Sequence, residues 1–304
     1  MKKSYELLGV ISILFGTMIY GSSGVFTRHL SVEFSPFSQQ YSRSFVIVVV
    51  LGCLLFFNKS LWRTINKKDI KWFAFLILSS MFDVVLIFVA FNHVSIASGY
   101  FAFYSSMIIT GLVAGALLFS DKMTLEKIIS IVLILVGIGF VFFPGFSFST
   151  MFYLSLAILF GVSVGLWNVF SKKLSNNYSI IQMIFISFVF VFISALLFSL
   201  IFDNGFSFNF TLVSLLWLIS FALLGLVAMA LIVIGFKYLE AQKASLLMPV
   251  EIVFAALFGF WFYKETISVE MVIGGILIFI GALLPNVDIK KVRNLKERTT
   301  KLKK

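Results

Sequence analysis

The chain has 304 residues, of which 61% are hydrophobic and only 12% charged. A soluble domain carries about 25% charged residues, so this chain lacks the polar exterior that water requires, and its solvent is lipid. The net charge of +11 does not mark a nucleic-acid binder, because the basic residues lie in short segments between apolar runs, where they act as topology signals.

A helix needs about 20 mostly apolar residues to cross a bilayer core. Ten spans are predicted, at 5–27, 36–57, 72–91, 97–119, 127–146, 150–170, 180–202, 212–236, 244–262 and 267–286. The first runs from Leu7 past Tyr20 into Gly21–Phe26 without a small-residue cleavage pattern, so it reads as a retained span. The strongly apolar part of the second, Phe45 to Phe57, would cover only about 20 Å. To cross, that span must draw in Gln39, Gln40, Tyr41, Ser42, Arg43 and Ser44, which puts polar groups at membrane depth. The third holds Asp83 and ends near His93, readable as an interfacial residue or a proton carrier. In the fourth, Tyr100, Tyr104, Met107 and Gly111 fall on one helical stripe. The sixth carries Trp167 and Asn168, and the ninth carries Pro249 and Glu251. A basic tail, 287–304, follows the tenth. With one cysteine, Cys53, and two histidines, no disulfide, metal or redox centre can be assembled, and no cofactor is expected.

With the N-terminus placed inside, 21 of the 24 Lys and Arg residues fall on the inner side, Arg28 and Lys264 fall outside, and Arg43 lies within the membrane. This asymmetry places both termini in the cytoplasm of a cell with a multi-pass cytoplasmic-membrane protein.

The sequence also repeats itself. An offset of 144 residues carries Gly21-Ser-Ser-Gly-Val-Phe-Thr-Arg28 onto Gly165-Leu-Trp-Asn-Val-Phe-Ser-Lys172. The same offset carries Glu126, Leu133, Ile134 and Gly137 onto Glu270, Leu277, Ile278 and Gly281. Each half holds five spans, and an odd number forces the second half to cross in the opposite sense. The fold class is therefore an all-α membrane protein of ten transmembrane helices in two five-helix inverted-topology repeats, a plan used by secondary transporters with sites between the halves.

On these features the chain resembles the EamA type of the drug/metabolite transporter superfamily. The resemblance rests on the 5+5 plan, on Asp121 and Lys264-Glu265-Thr266 in the fourth–fifth and ninth–tenth hairpins, and on the glycines that follow (Gly137; Gly274, Gly275, Gly281). Arg43 and Pro249 also fit. Ile19-Tyr20-Gly21-Ser22 stands where a Trp-Gly pair is usual, and Ser105 where a proline is expected. The resemblance divides the chain into EamA-like repeats at 1–146 and 147–286 with the tail at 287–304. It implies export of amino acids or related compounds, with protons as the candidate coupling ion.

Residues shared by the halves read as scaffold: Asp121 and Glu265 as caps of the helices that follow, and Gly111/Gly115 and Gly161/Gly165 as helix-packing positions. Ionisable residues confined to one half read as functional, because an uncompensated charge at the bilayer centre costs at least about 2.5–3.5 kcal/mol. Asp83 maps onto Val227, Arg43 onto Ser187 and Glu251 onto Met107. Arg43 and Asp83 lie about 10 and 12 Å from the same face, which allows an ion pair, and Glu251 lies about 16 Å deep. The candidate substrate-binding set is Glu251, Asp83, Arg43, Tyr104, Tyr100, Trp167, Asn168, Tyr20, Ser23 and Gln39, with Glu251 and Asp83 as candidate proton carriers. The expected partners are a small-molecule substrate, membrane lipid and protons, with oligomeric state left open. No Walker A sequence is present, which excludes ATP-driven transport by this chain alone. A membrane-embedded lipid-modifying enzyme and an uncoupled facilitator or channel are the alternative classes. The first needs clustered catalytic side chains, and the second needs no flexible midplane carboxylate.

Overall fold

The computed structural model describes residues 2–91, 93–94, 96–142, 151–203 and 211–286. Among them the regular structure is helical throughout, and ten segments are long and apolar enough to cross a membrane. They are Ser4–Leu30, Pro36–Phe57, Ile70–Ile87, Ser98–Phe119, Leu125–Phe142, Met151–Leu174, Ile180–Phe202, Leu212–Tyr238, Ala241–Tyr263 and Val269–Asn286, referred to below as the first to tenth spans. The predicted boundary at 146/147 and the basic tail lie outside the described residues. The first span continues beyond its predicted end through Arg28 and His29, which sit exposed on its last turn.

Three spans are interrupted. The first divides into Lys2–Gly21 and Ser23–Leu30, the third into Ile70–Met81 and Asp83–Phe91, and the ninth into Ala241–Leu247 and Val250–Tyr263. The ninth breaks because Pro249 has no N–H to donate. Glu251 N and Ile252 N bond back only three residues, to Met248 O at 3.1 Å and Pro249 O at 3.0 Å, which tightens the turn there. The repeat counterparts of these spans, the sixth, eighth and fourth, run unbroken as Met151–Leu174, Leu212–Tyr238 and Ile96–Phe119.

The 144-residue repeat persists in the finest local structure. Ser35 caps the second span by accepting from Ser38 N at 3.1 Å, and its counterpart Ser179 caps the seventh by accepting from Gln182 N at 3.1 Å. Ser120 and Lys264 are counterparts, and each adopts the left-handed conformation, at φ 57° and 53°. After each, the next N–H folds back onto a glycine carbonyl, Asp121 N to Gly115 O at 3.2 Å and Glu265 N to Gly259 O at 3.4 Å, so both helices close with the same C-terminal wrap.

This corrects the capping role read for Asp121 and Glu265. The following helices begin four residues later, at Leu125 and Val269, and Ser268 caps the latter by accepting from Met271 N at 3.3 Å. The two carboxylates belong to the ends of the preceding helices, where a negative charge opposes the helix dipole. They find cations at repeat-related positions. Glu265 pairs with Arg28 at 2.6 Å, and Asp121 lies in the field of Lys172, the counterpart of Arg28.

Contacts between the halves obey the same two-fold rule. A Cβ on Gly165 would come within 3.0 Å of Met107 O, and one on the counterpart Gly21 within 3.1 Å of Glu251 O. A Cβ on Gly137 of the fifth span would meet Gly274 O of the tenth at 2.7 Å, while one on Gly281 would meet Ser130 O at 3.1 Å. With no hydrophobic drive between helices in lipid, such backbone-to-backbone approach supplies the packing energy. Gly111 and Gly161 pack similarly, against Ser245 and Phe103.

Candidate functional site

Between the halves lies a cavity of about 510 Å³, within the range of small-molecule sites. It reaches from Thr27 and Pro36, near the face opposite the N-terminus, down to Asn168, Met229 and Met248. Spans one to four and six to nine supply its walls, whereas the glycine-packed fifth and tenth supply none of the described lining. Repeat counterparts both line it: Tyr20 and Val164, Arg43 and Ser187, Tyr104 and Met248, Met107 and Glu251. Both halves therefore contribute equivalent positions, and the polar groups at those positions differ.

Of the residues singled out from the sequence, Glu251, Asp83, Arg43, Tyr104, Trp167, Asn168, Tyr20 and Gln39 line the cavity. Tyr100 and Ser23 do not. Tyr100 stands behind the wall, its ring stacked on Phe142 at 5.6 Å and on Tyr104 at 6.1 Å. Ser23 lies in the turn after the first span's interruption, where its carbonyl accepts from the Thr27 hydroxyl at 2.7 Å. His93 lies apart from the cavity, stacked on Tyr153 at 3.9 Å.

Each interruption delivers a site residue. Tyr20 immediately precedes the first, Asp83 opens the helix after the second, and Glu251 follows Pro249 in the third. Glu251 takes the Tyr104 hydroxyl as its side-chain hydrogen-bond partner. Trp167 Nε1 donates to Ser187 Oγ at 3.3 Å, and Gln39 Nε2 donates to Phe34 O at 3.3 Å.

The Arg43–Asp83 ion pair allowed by depth is not formed: the described residues hold no contact within 4 Å between the two charged groups. Equal depth does not fix azimuth. Arg43 turns toward the eighth span, its guanidinium 4.6 Å from the Phe221 ring centroid, and donates to Gln40 Oε1 at 2.5 Å. Asp83 turns instead toward the sixth span and Ser163. That hydroxyl also donates to Ser79 O at 2.6 Å, and Asp83 Oδ1 is buried without a hydrogen-bond partner.

Sequence reasoning missed several neighbours. Ser187 was signalled as the counterpart of Arg43 and Gln40 as a polar residue at membrane depth, but Phe221, which packs on the guanidinium, carried no signal of its own. It also counted Lys127 only as one of the inner-side topology charges, at the start of the fifth span. The structure buries Lys127 at 1% exposure, where its ammonium donates to Glu240 Oε2 at 2.7 Å, Gln242 Oε1 at 2.6 Å and Lys122 O at 2.7 Å. Lys172 Nζ donates to Phe236 O at 2.9 Å and to Leu239 O. These contacts tie the spans together at the N-terminal face.

The EamA-like transporter family matches this chain twice, over residues 7–143 and 151–287. The chain belongs to that family. A solved crystal structure shares the fold with a TM-score of 0.75, at 16% identity and over 94% of this chain and 99% of the other. No curated protein matches the sequence.

Proposed function

We propose that this EamA-family chain is a secondary transporter that carries an amino acid or related small metabolite out across the cytoplasmic membrane by alternating access, with proton exchange at Glu251. The observation that carries the reading is the placement of Glu251. It is a carboxylate on the wall of a cavity between two inverted halves, beside a proline break, with only Met107 at the equivalent position. A scaffold with this symmetry needs no acid there, and a helix loosened at Pro249 lets the side chain reorient as the cavity changes sides. The 21-to-2 distribution of basic residues supports cytoplasmic termini, and so a cavity approached from outside through Thr27 and Pro36.

The test is transport in proteoliposomes under an imposed pH gradient. Wild-type flux should follow the gradient. Glu251→Gln keeps the side-chain shape but cannot carry a proton, so it should retain substrate binding and lose the response to pH. A variant with wild-type flux and wild-type pH response would remove Glu251 from the coupling and make Asp83 the next residue to examine.

A further inference from the structure

The cavity holds one cation and two carboxylates that do not neutralise one another directly. Arg43 has no carboxylate within 4 Å among the described residues. Its guanidinium carries five N–H donors, lies 4.6 Å from the Phe221 ring centroid, and has Gln40 as its hydrogen-bonded side-chain partner. Such a fork matches the geometry of a carboxylate. Asp83, also on the cavity lining, presents the complement. Its Oδ1 is buried without a partner. Ser163, the hydroxyl beside it, already donates to Ser79 O. A buried acceptor left unmet is costly unless something outside the fold meets it. The repeat shows that the fold itself does not demand this acid, because the equivalent position is Val227, 48% exposed on the outer surface of the bundle. Glu251 has the Tyr104 hydroxyl as partner and Asp83 has that of Ser163, and of these carboxylate oxygens Asp83 Oδ1 is the one buried without a partner. Beside the charged and amide groups the lining also offers apolar surface, with Ile87, Phe188, Val191 and Phe221.

We propose that Arg43 and Asp83 divide the two charges of a zwitterionic ligand with an apolar side chain, Arg43 receiving its carboxylate and Asp83 its ammonium group. This rests on the transporter reading and adds which residue reads which end. Asp83 thereby becomes the specificity residue for the ammonium, and Glu251 stays free for the proton.

The test measures binding to the purified full-length chain in detergent. The probes are leucine, methionine and phenylalanine, each with its deaminated acid and its decarboxylated amine. Wild type should prefer at least one amino acid over both of its half-ligands by about 10- to 100-fold, the effect of one hydrogen-bonded charge. Asp83→Asn should bind that amino acid and its deaminated acid alike, and Arg43→Gln should bind it and its amine alike. If Asp83→Asn keeps the preference and Glu251→Gln loses it, Glu251 reads the ammonium and the proposal is overturned. A wild type that binds both half-ligands as well as the amino acid overturns it too, while leaving transport intact. Absence of binding by every probe would instead strike the amino-acid reading on which it rests. The neutral variants keep their side-chain shape, and their monodispersity on size exclusion separates lost discrimination from lost folding.

Discussion

The two ends of this bundle are built from repeat-related residues and are fastened very differently. At the face opposite the N-terminus, Arg28 pairs with Glu265 at 2.6 Å with side chains 56% and 46% exposed. At the N-terminal face the counterpart Lys172 has left its own carboxylate, Asp121, and reaches carbonyls at the end of the eighth span, while Asp121 Oδ2 accepts from Gln242 N at 3.3 Å. There Lys127, whose counterpart is the uncharged Met271, adds an ion pair with Glu240 in which the lysine is buried and the carboxylate half-exposed. One end is thus held by a solvated pair and the other by a network around a dry lysine, tying the fourth–fifth hairpin to the eighth–ninth. Equivalent residues of the two halves therefore do different work, and the N-terminal face is the more tightly fastened.

The largest effect should come from breaking the dry end. Lys127→Met installs the residue that the other half uses, but it strands Gln242 Oε1 and Lys122 O and leaves Glu240 without its closest cation. Because Glu240 is itself 45% exposed, the expected cost is about 2–3 kcal/mol, below that of a fully buried pair. It should appear as a fall of several degrees in the thermal midpoint of the purified protein, independent of salt. A midpoint within one degree of wild type would mean that the network does not hold this face.

Arg28→Gln probes the solvated end and should cost no more than about 1 kcal/mol. Exposed charges are screened over about 8 Å at physiological ionic strength, so this difference should vanish in high salt while that of Lys127→Met persists. Equal salt sensitivity of the two variants would erase the distinction between the ends.

The spans, their number and the repeat were legible because apolar density and glycine spacing are local properties of the chain. So were the charged residues of the cavity lining, since the offset exposes Asp83, Arg43 and Glu251 as acids and a base with no equivalent. Azimuth was not legible. Nothing around Phe82 announces a helix break, yet that break aims Asp83 at the sixth span and away from Arg43. The burial of Lys127 was hidden for a related reason. Its partners Glu240 and Gln242 lie more than 100 residues away, and a lysine next to a hairpin looks solvated until the other hairpin arrives. Asp121 and Glu265 were misassigned because a hairpin acid can serve either helix, and only the left-handed residue before each shows that it finishes the first.

The smallest expected effect lies at the face opposite the N-terminus, in the loop between the first and second spans. There Glu33 accepts from Ser214 Oγ at 2.5 Å, Thr211 N at 2.9 Å and Thr211 Oγ1 at 3.0 Å, tying that loop to the start of the eighth span. The Ser214 hydroxyl first, and then the Thr211 N–H, hold its carboxyl below the ordinary value of 4.5. A carboxylate whose acidity is strengthened by folding contributes stability at every pH above its unfolded value and loses that contribution as pH falls through its folded value. Glu33→Gln removes the charge and should lower the thermal midpoint slightly at about pH 7. The gap from wild type should close as both proteins are taken below about pH 4, because protonated Glu33 and glutamine then accept on similar terms. A gap that stays constant into acid would show that the three contacts act through shape alone, leaving Arg28 and Glu265 as the electrostatic fastening of that face.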